Sequence, residues 1–437
     1  MASRALKIVF IAAHTAARDA LLKTCASKHT LSLLITLPPE KGAAKSGYYS
    51  FLAERKKHRI PTMEVKTIHE PAVLERVRAI QPDLLVVLGW SELLKPDLLS
   101  IPSIGAIGAH TSMLPKNRGR SPLNWAIING DKKGGVTLFF LTPESDTGLI
   151  LSQQAFPITQ KDDIATLYAK AEKAIGTMLS KILRAPNVPK GKKQNDALSS
   201  YLPRRRKADG LLDFNASAQN CYDLVRALTP PYPGAYFYFR GQPIVVVKAS
   251  VIQAGKNKSK GIKKSLKSTP GQVIQITSQG VSVQCDKGIL QLQSLQQEGQ
   301  RPVPASRLAK ALGITVGTVL QGTKDYPGIL EYYFRDAHGG TKKFPTNIPA
   351  NSPAEVSLIL RNHFTTPLTL RSTISVDGLV VDTKDTTLPP QSQRLQQFSF
   401  SVQKGSHNVE VQSTCLNNPA ALGTQQTRSD SLVVWGA

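Results

Sequence analysis

The first 185 residues alternate short, unbroken apolar runs with amphipathic stretches, and that alternation constrains the fold more than any other feature of the chain. The runs Leu6–Ala13, Leu31–Leu37, Leu84–Gly89, Ile104–Ala109 and Val136–Leu141 are rich in Ile, Val and Leu. Runs of this length and composition read as strands buried on both faces. Between them, Ala72–Ile80 and Ile164–Ile175 carry apolar residues at helical spacing. Strands alternating with helices predict an α/β domain, a Rossmann-like and mostly parallel sheet covered on both sides. Ligands of such sheets bind beyond the carboxyl ends of the strands, where the strand order reverses. The turn after the first run reads Ala12-Ala-His14-Thr-Ala-Ala17, without the glycines of a dinucleotide fingerprint, and no P-loop occurs. A nucleotide cofactor at the first turn is therefore not expected. His14, Arg18 and Asp19 interrupt the opening run, so a first strand is preferred to a secretory leader. No apolar run approaches the roughly 20 residues of a membrane span. A cytoplasmic protein without membrane contact is the expectation.

Beyond Ala185 the composition changes. Asn187–Asp196 is polar and rich in breakers, and Arg204-Arg-Arg-Lys207 closes it with a basic cluster. A helical pattern over Ala216–Leu228 follows, then five short alternating runs: Ala235–Phe239, Pro243–Ala249, Gly271–Ile276, Val281–Cys285 and Ile289–Leu295. One helix and five short strands suggest a small OB-like barrel. From about Tyr326 the chain is all-β in style. Ala354–Leu360, Leu368–Val376, Leu379–Val381, Gln396–Val402 and Asn408–Ser413 are separated by breakers such as Asp377-Gly378, which suggests an immunoglobulin-like sandwich. The expected division is 1–189, a basic linker 190–206, a second domain 207–320, and a third domain 328–437 of unassigned role. A length of 437 residues accommodates it.

Charge follows the same division. The chain carries 55 Lys+Arg against 30 Asp+Glu, a formal +25. Residues 1–190 hold 26 basic and 15 acidic side chains, residues 191–325 hold 20 and 7, and residues 326–437 hold 9 and 8. A basic middle section suits phosphates or RNA, and equally suits solvated loops. Its lysine-rich stretch 256–267 has no interleaved aromatic for base stacking. Cys25, Cys221, Cys285 and Cys415 lie far apart, with no CxxC, so neither a disulfide scaffold nor a metal site is expected.

The most informative stretch runs Gly105-Ala-Ile-Gly108-Ala-His110-Thr-Ser112-Met-Leu-Pro115-Lys-Asn-Arg118-Gly119-Arg120-Ser-Pro-Leu-Asn124-Trp125, and continues to Glu144-Ser-Asp146-Thr-Gly148. It places a histidine at the end of one buried strand and an aspartate just beyond the next. A neutral imidazole accepts a proton near neutral pH, and a carboxylate orients it and stabilises the imidazolium. The same two residues would also serve as a satisfied strand-end histidine and an ordinary turn aspartate.

Taken together, these motifs resemble the folate-dependent formyltransferases, whose signature is an Asn-x-His-x-Ser-Leu-Leu-Pro strand and loop followed by an Asp-Thr-Gly turn. The likeness continues at Arg206-Lys-Ala-Asp209-Gly-Leu-Leu-Asp213-Phe and at Val225-Arg-Ala-Leu-Thr-Pro-Pro-Tyr-Pro-Gly-Ala235, covers roughly residues 5–315, and leaves 328–437 outside. It implies transfer of a formyl group from 10-formyltetrahydrofolate to an amine, without a metal. His110 would be the general base and Asp146 its orienting partner. Leu88, Gly89, Trp90, Ser112, Leu114, Pro115, Leu141 and Glu144 would hold the folate, and Arg118, Gly119, Arg120 and Asn124 the acceptor. Gly108 stands where the family has an asparagine that helps hold the formyl oxygen, a role worth a few kcal/mol in comparable sites. The loop Pro38–Gly47 has two lysines and no arginine, unlike the basic insertion of the methionyl-tRNA enzymes. The Arg118–Trp125 stretch looks more like the amino-sugar enzymes. A small amine, first of all a nucleotide-linked amino sugar, is the expected acceptor. Methionyl-tRNA is the alternative, and a weakened, formyltransferase-like binding protein is the reading of another class.

Overall fold

A computed structural model of the chain describes residues 4–436 apart from 43–44, 46, 203–204, 206, 241, 253–267, 298, 321, 323–329, 336–340, 343–346, 349–352, 363–367, 389–391, 402, 404 and 417–426. The lysine-rich stretch 256–267 thus lies outside the described residues. The chain divides into two compact units, Met1–Ala126 with Asp131–Ser200, and Ile127–Gly130 with Tyr201–Ala437.

The first unit is built on a seven-stranded sheet. Its strands are β1 (Lys7–Ala12), β2 (Thr30–Thr36), β3 (Thr62–Glu64), β4 (Leu84–Leu88), β5 (Gly105–His110), β6 (Lys133–Phe140) and β7 (Ile150–Pro157). They lie in the order β3-β2-β1-β4-β5-β6-β7. The first five are parallel, and β6 and β7 add antiparallel pairs. The apolar runs became strands because both sheet faces are covered: Ile8, Val9, Phe10, Ile11, Leu84, Leu85 and Val86 are all fully buried. The order turns outward in both directions from β1 and β4, and their carboxyl ends form the switch point. Helix α1 (Arg18–Cys25) follows β1, and α2 (Pro71–Ile80) precedes β4. Helix α3 (Ile164–Arg184) runs nine residues past the expected end at Ile175. Asp163 caps its start, accepting from the Thr166 N–H at 2.8 Å. A buried stripe of Leu167, Ala171, Ile175, Met178 and Ile182 carries it on. It stops at Ala185, the residue before Pro186, which is pushed out of the helical region.

In the second unit, β8 (Ala235–Phe239), β9 (Gln242–Ile252), β10 (Val273–Thr277), β11 (Gly280–Gln284) and β12 (Ile289–Gln297) pair antiparallel in the order β8-β9-β12-β11-β10. Helix α4 (Ala218–Ala227) is capped by Ser217, and α5 (Ala305–Leu312) closes on Gly313 in the left-handed region. Cys221 on α4 and Cys285 after β11 are both buried free thiols, the Cys285 thiol donating to Cys221 Sγ at 4.0 Å.

The tail forms two further sheets. One contains β13 (Leu330–Arg335), β14 (Pro353–Asn362) and β17 (Ser392–Ser401); the other contains β15 (Leu368–Val376), β16 (Leu379–Leu388), β18 (Gly405–Cys415) and β19 (Thr427–Gly436). Leu370 and Ile374, Phe398 and Phe400, and Val409 and Val411 are buried at strand-like spacing. Among the described residues no helix is long and apolar enough to cross a membrane.

Candidate active site

His110 closes β5 and is buried. Its Nε2 lies 2.7 Å from the backbone oxygen of Asn117. A carbonyl only accepts, so Nε2 carries a proton and Nδ1 is the nitrogen left to receive one. Asp146 Oδ1 stands 3.4 Å from Nδ1, and Asp146 Oδ2 accepts the Gly119 N–H at 2.9 Å. Asp146 and Asn117 sit at φ 60° and 59°, in the left-handed region that Asp and Asn enter more readily than most residues. The pair legible in the sequence is thus brought together, each partner held by a strained turn.

Gly108 lies two residues earlier in β5, paired with Val87 on one side and Phe139 on the other. The space a side chain would take there is filled by Leu141: a Cβ on Gly108 would stand 3.0 Å from Leu141 Cγ, with Cδ2 nearer still.

The residues expected around the folate fall into two groups. Leu141 and Trp90 pack against one apolar cluster that includes Val87, Leu94 and Leu98, so the β4 end and the loop after β6 meet as expected. The Trp90 Nε1 is buried and has no hydrogen-bond partner among the described residues. An orphaned donor at the carboxyl end of β4 fits a ligand that supplies an acceptor there. Gly89 is exposed, at φ 64°. Glu144 lies in the loop where its carbonyl accepts from Thr142 and Thr147. Ser112 and Leu114, by contrast, are turned inward. The Ser112 hydroxyl is buried and donates to the Lys116 carbonyl at 2.7 Å, and the Leu114 side chain is 3% exposed. Pro115 is half-buried, and its carbonyl accepts the Ser200 N–H.

Arg118 departs furthest from expectation. Its side chain is 2% exposed, and its Nη2 donates to Gln194 Oε1 and to Asp196 Oδ1, each at 2.7 Å. A buried guanidinium needs such partners, so this one is spent inside the protein and does not face an acceptor. Asn124 is likewise fully buried. Arg120 is exposed, and Gly119 offers its N–H to Asp146. Of the basic cluster 204–207 only the Arg205 side chain is described; it donates to the Asp209 carbonyl at 2.9 Å.

Sequence reasoning passed over His14, at the switch point after β1. Its Nδ1 accepts the Ala16 N–H at 3.0 Å, and its ring stands 5.1 Å from that of Tyr168. Any Cβ on Gly47 or Gly89 would strike the His14 side chain, so both close approaches require glycine. Burial pushes the imidazole down to about 4, so it stands neutral at physiological pH. Its signal was positional: a polar residue where the strand order reverses.

Residues 6–183 match the family model described as formyl transferase, and residues 204–313 match that of the formyl transferase C-terminal domain. The chain belongs to the formyltransferase family. A methionyl-tRNA formyltransferase of Geotalea uraniireducens is 34% identical over 292 residues, 66% of this chain and 86% of that protein. The bifunctional polymyxin resistance protein ArnA of Wigglesworthia glossinidia brevipalpis is 38% identical over 222 residues, 50% of this chain and 34% of that protein. HypX from Aquifex aeolicus, solved in complex with tetrahydrofolic acid, shares the fold with a TM-score of 0.50 at 15% identity, over 72% of this chain and 48% of that one. As a formyltransferase the chain is an enzyme that uses 10-formyltetrahydrofolate as its donor. Among the described residues no group of three or more His, Cys, Asp and Glu is placed to hold a metal ion. The tail beyond residue 313 lies outside both matched segments.

Proposed function

We propose that this formyltransferase acts on a primary amine of a small metabolite, a nucleotide-linked amino sugar, with His110 as general base. The single observation that carries the mechanism is the orientation of His110: Nε2 anchored on the Asn117 carbonyl, Nδ1 open beside Asp146. The attacking amine bonds to the formyl carbon and loses its proton to Nδ1, and the imidazolium so formed meets the Asp146 carboxylate. As the bond from the formyl carbon to the donor nitrogen breaks, that proton passes to the departing tetrahydrofolate nitrogen and His110 returns to its neutral form. Bound along Leu88–Trp90 and Leu141–Glu144, 10-formyltetrahydrofolate supplies the formyl group. Holding the amine against it makes the encounter unimolecular, which supplies much of the rate. Gly108 contributes only backbone, so the oxyanion lacks the side-chain amide found in the family.

The acceptor reading is supported by the arginine-free loop Pro38–Gly47. The second reading, methionyl-tRNA, is supported by the basic excess of residues 191–325 and by relatives matched over most of their length. A third, a folate binder with little turnover, is supported by Leu141 filling the place of the family amide. We read the sheet that holds β8–β12 as an OB-like barrel and the tail as an immunoglobulin-like sandwich. The full chain would be incubated with 10-formyltetrahydrofolate and a panel of amino-sugar nucleotides and charged initiator tRNA. Formylation of an amino sugar is expected. Formylation of tRNA alone would overturn the acceptor, and donor binding without turnover on any acceptor would favour the binder.

A further inference from the structure

Residues 192–200 lie between the two segments that match the family, yet they touch Asp146 and Asn117, the residue whose carbonyl holds His110. Lys192 exchanges two backbone hydrogen bonds with Ile150, each 2.8 Å, which lays the segment beside the start of β7. From there Gln194 turns inward and is 5% exposed. Its Nε2 donates to the carbonyls of Asp146 and Gly148, both at 2.8 Å, and its Oε1 accepts from Arg118. The amide is therefore used on both sides, with two donor bonds from one nitrogen and an acceptor oxygen beside it. Six residues on, the Ser200 Oγ accepts the Asn117 N–H at 2.7 Å and donates to Asn117 Oδ1 at 3.2 Å. The Ser200 carbonyl accepts the Arg118 N–H at 2.7 Å. Asn117 is the residue whose carbonyl holds His110 Nε2.

We infer that residues 192–200 form a clamp that positions the His110–Asp146 pair, with Gln194 as the positioning residue for Asp146 and Ser200 for His110. The inference rests on the reading of His110 and Asp146 as the catalytic pair. Gln194 fixes the main chain of the left-handed turn from which Asp146 Oδ1 reaches Nδ1. Ser200 fixes the left-handed turn at Asn117 that receives Nε2–H. Arg118, buried between Gln194 and Asp196, ties the two halves together. A side chain displaced by about 1 Å in such a site loses up to a hundredfold in rate. The clamp thus has a role that the polar composition of the segment does not suggest.

The test uses the full chain with Gln194→Met, which keeps the volume and loses every hydrogen bond, and with Ser200→Ala. Two readouts are taken. One is kcat and KM for 10-formyltetrahydrofolate. The other, which needs no turnover, is the NMR signal of the His110 ring at fixed pH, whose nitrogen shifts report its tautomer and contacts, assigned by its loss in His110→Gln. Asp146 is the charged group set at ion-pair distance from that ring. Gln194→Met is expected to lower kcat roughly tenfold to a hundredfold with KM held within about twofold. The His110 ring signals should shift as the carboxylate drifts away. Ser200→Ala should release Nε2 from its fixed tautomer and lower kcat in the same way. Folded variants whose kcat and His110 ring signals match the parent would overturn the clamp. If Gln194→Met does not fold, Ser200→Ala decides by the same two readouts. If the parent turns over no acceptor, the proposed function fails on that count, while the His110 ring signals still decide the clamp.

Discussion

Leu141 takes the place that a side chain on Gly108 would need, its Cγ 3.0 Å from where a Cβ would stand. The two positions are coupled, so restoring the family asparagine is not a one-residue change. Gly108→Asn alone should lower stability by about 1–3 kcal/mol, the usual cost of overpacking a core. Combined with Leu141→Ala, the asparagine gains room to reach the formyl oxygen, and kcat should rise above that of the parent. Urea midpoints and turnover of the three proteins check this; a well-folded single variant with raised kcat would refute the coupling.

The open Nδ1 makes its own prediction. His110→Ala should lower kcat by roughly a hundredfold to ten-thousandfold, the range that a positioned general base contributes. Donor binding, followed by calorimetry, should persist, because no expected folate contact is removed.

Stability should depend on His14. Its folded value of about 4 lies below the ordinary 6.5, so the unfolded chain takes up a proton first as the pH falls. Stability should be level above about pH 6.5 and decline from there toward pH 4. His14→Asn, which keeps an acceptor for the Ala16 N–H, should flatten that part of the curve. Urea denaturation at pH 7.5, 6 and 5 measures it, and parallel curves for parent and variant would remove His14 as the cause.

Thiol chemistry should separate the cysteines. Burial pushes the Cys25 thiol up, and Cys285 beside it, together with burial, pushes the Cys221 thiol up further. The thiolate is the reactive form, so Cys25 and Cys221 should react slowly near neutral pH. Half-buried Cys25 should be alkylated by iodoacetamide before the Cys221–Cys285 pair, as read by peptide mass spectrometry.

Much of the frame was legible in the sequence. All five apolar runs of the first unit became strands, because residues buried on both sheet faces leave a continuous signal. β7 was passed over: its Ile150-Leu-Ser-Gln-Gln-Ala-Phe-Pro sequence is half polar, as suits the outermost strand of the sheet. His110 and Asp146 were legible because each ends a recognisable strand or turn. Arg118 misled because charge suggests exposure, and what reverses that is a pair of partners 76 and 78 residues away in sequence. Gln194 was hidden for the same reason, since a polar stretch with breakers reads as a linker and its hydrogen bonds leave no periodicity. The meeting of Cys221 and Cys285 across 64 residues is likewise a product of the fold alone.

The unpartnered Trp90 indole has an optical consequence. Indole fluorescence responds to hydrogen bonding and to the polarity around the ring, and Trp90 stands at the end of β4 with its N–H unclaimed. A molecule that seats itself there changes both conditions at once. On the proposed folate site, Trp90 emission would then report occupancy with no label and no turnover.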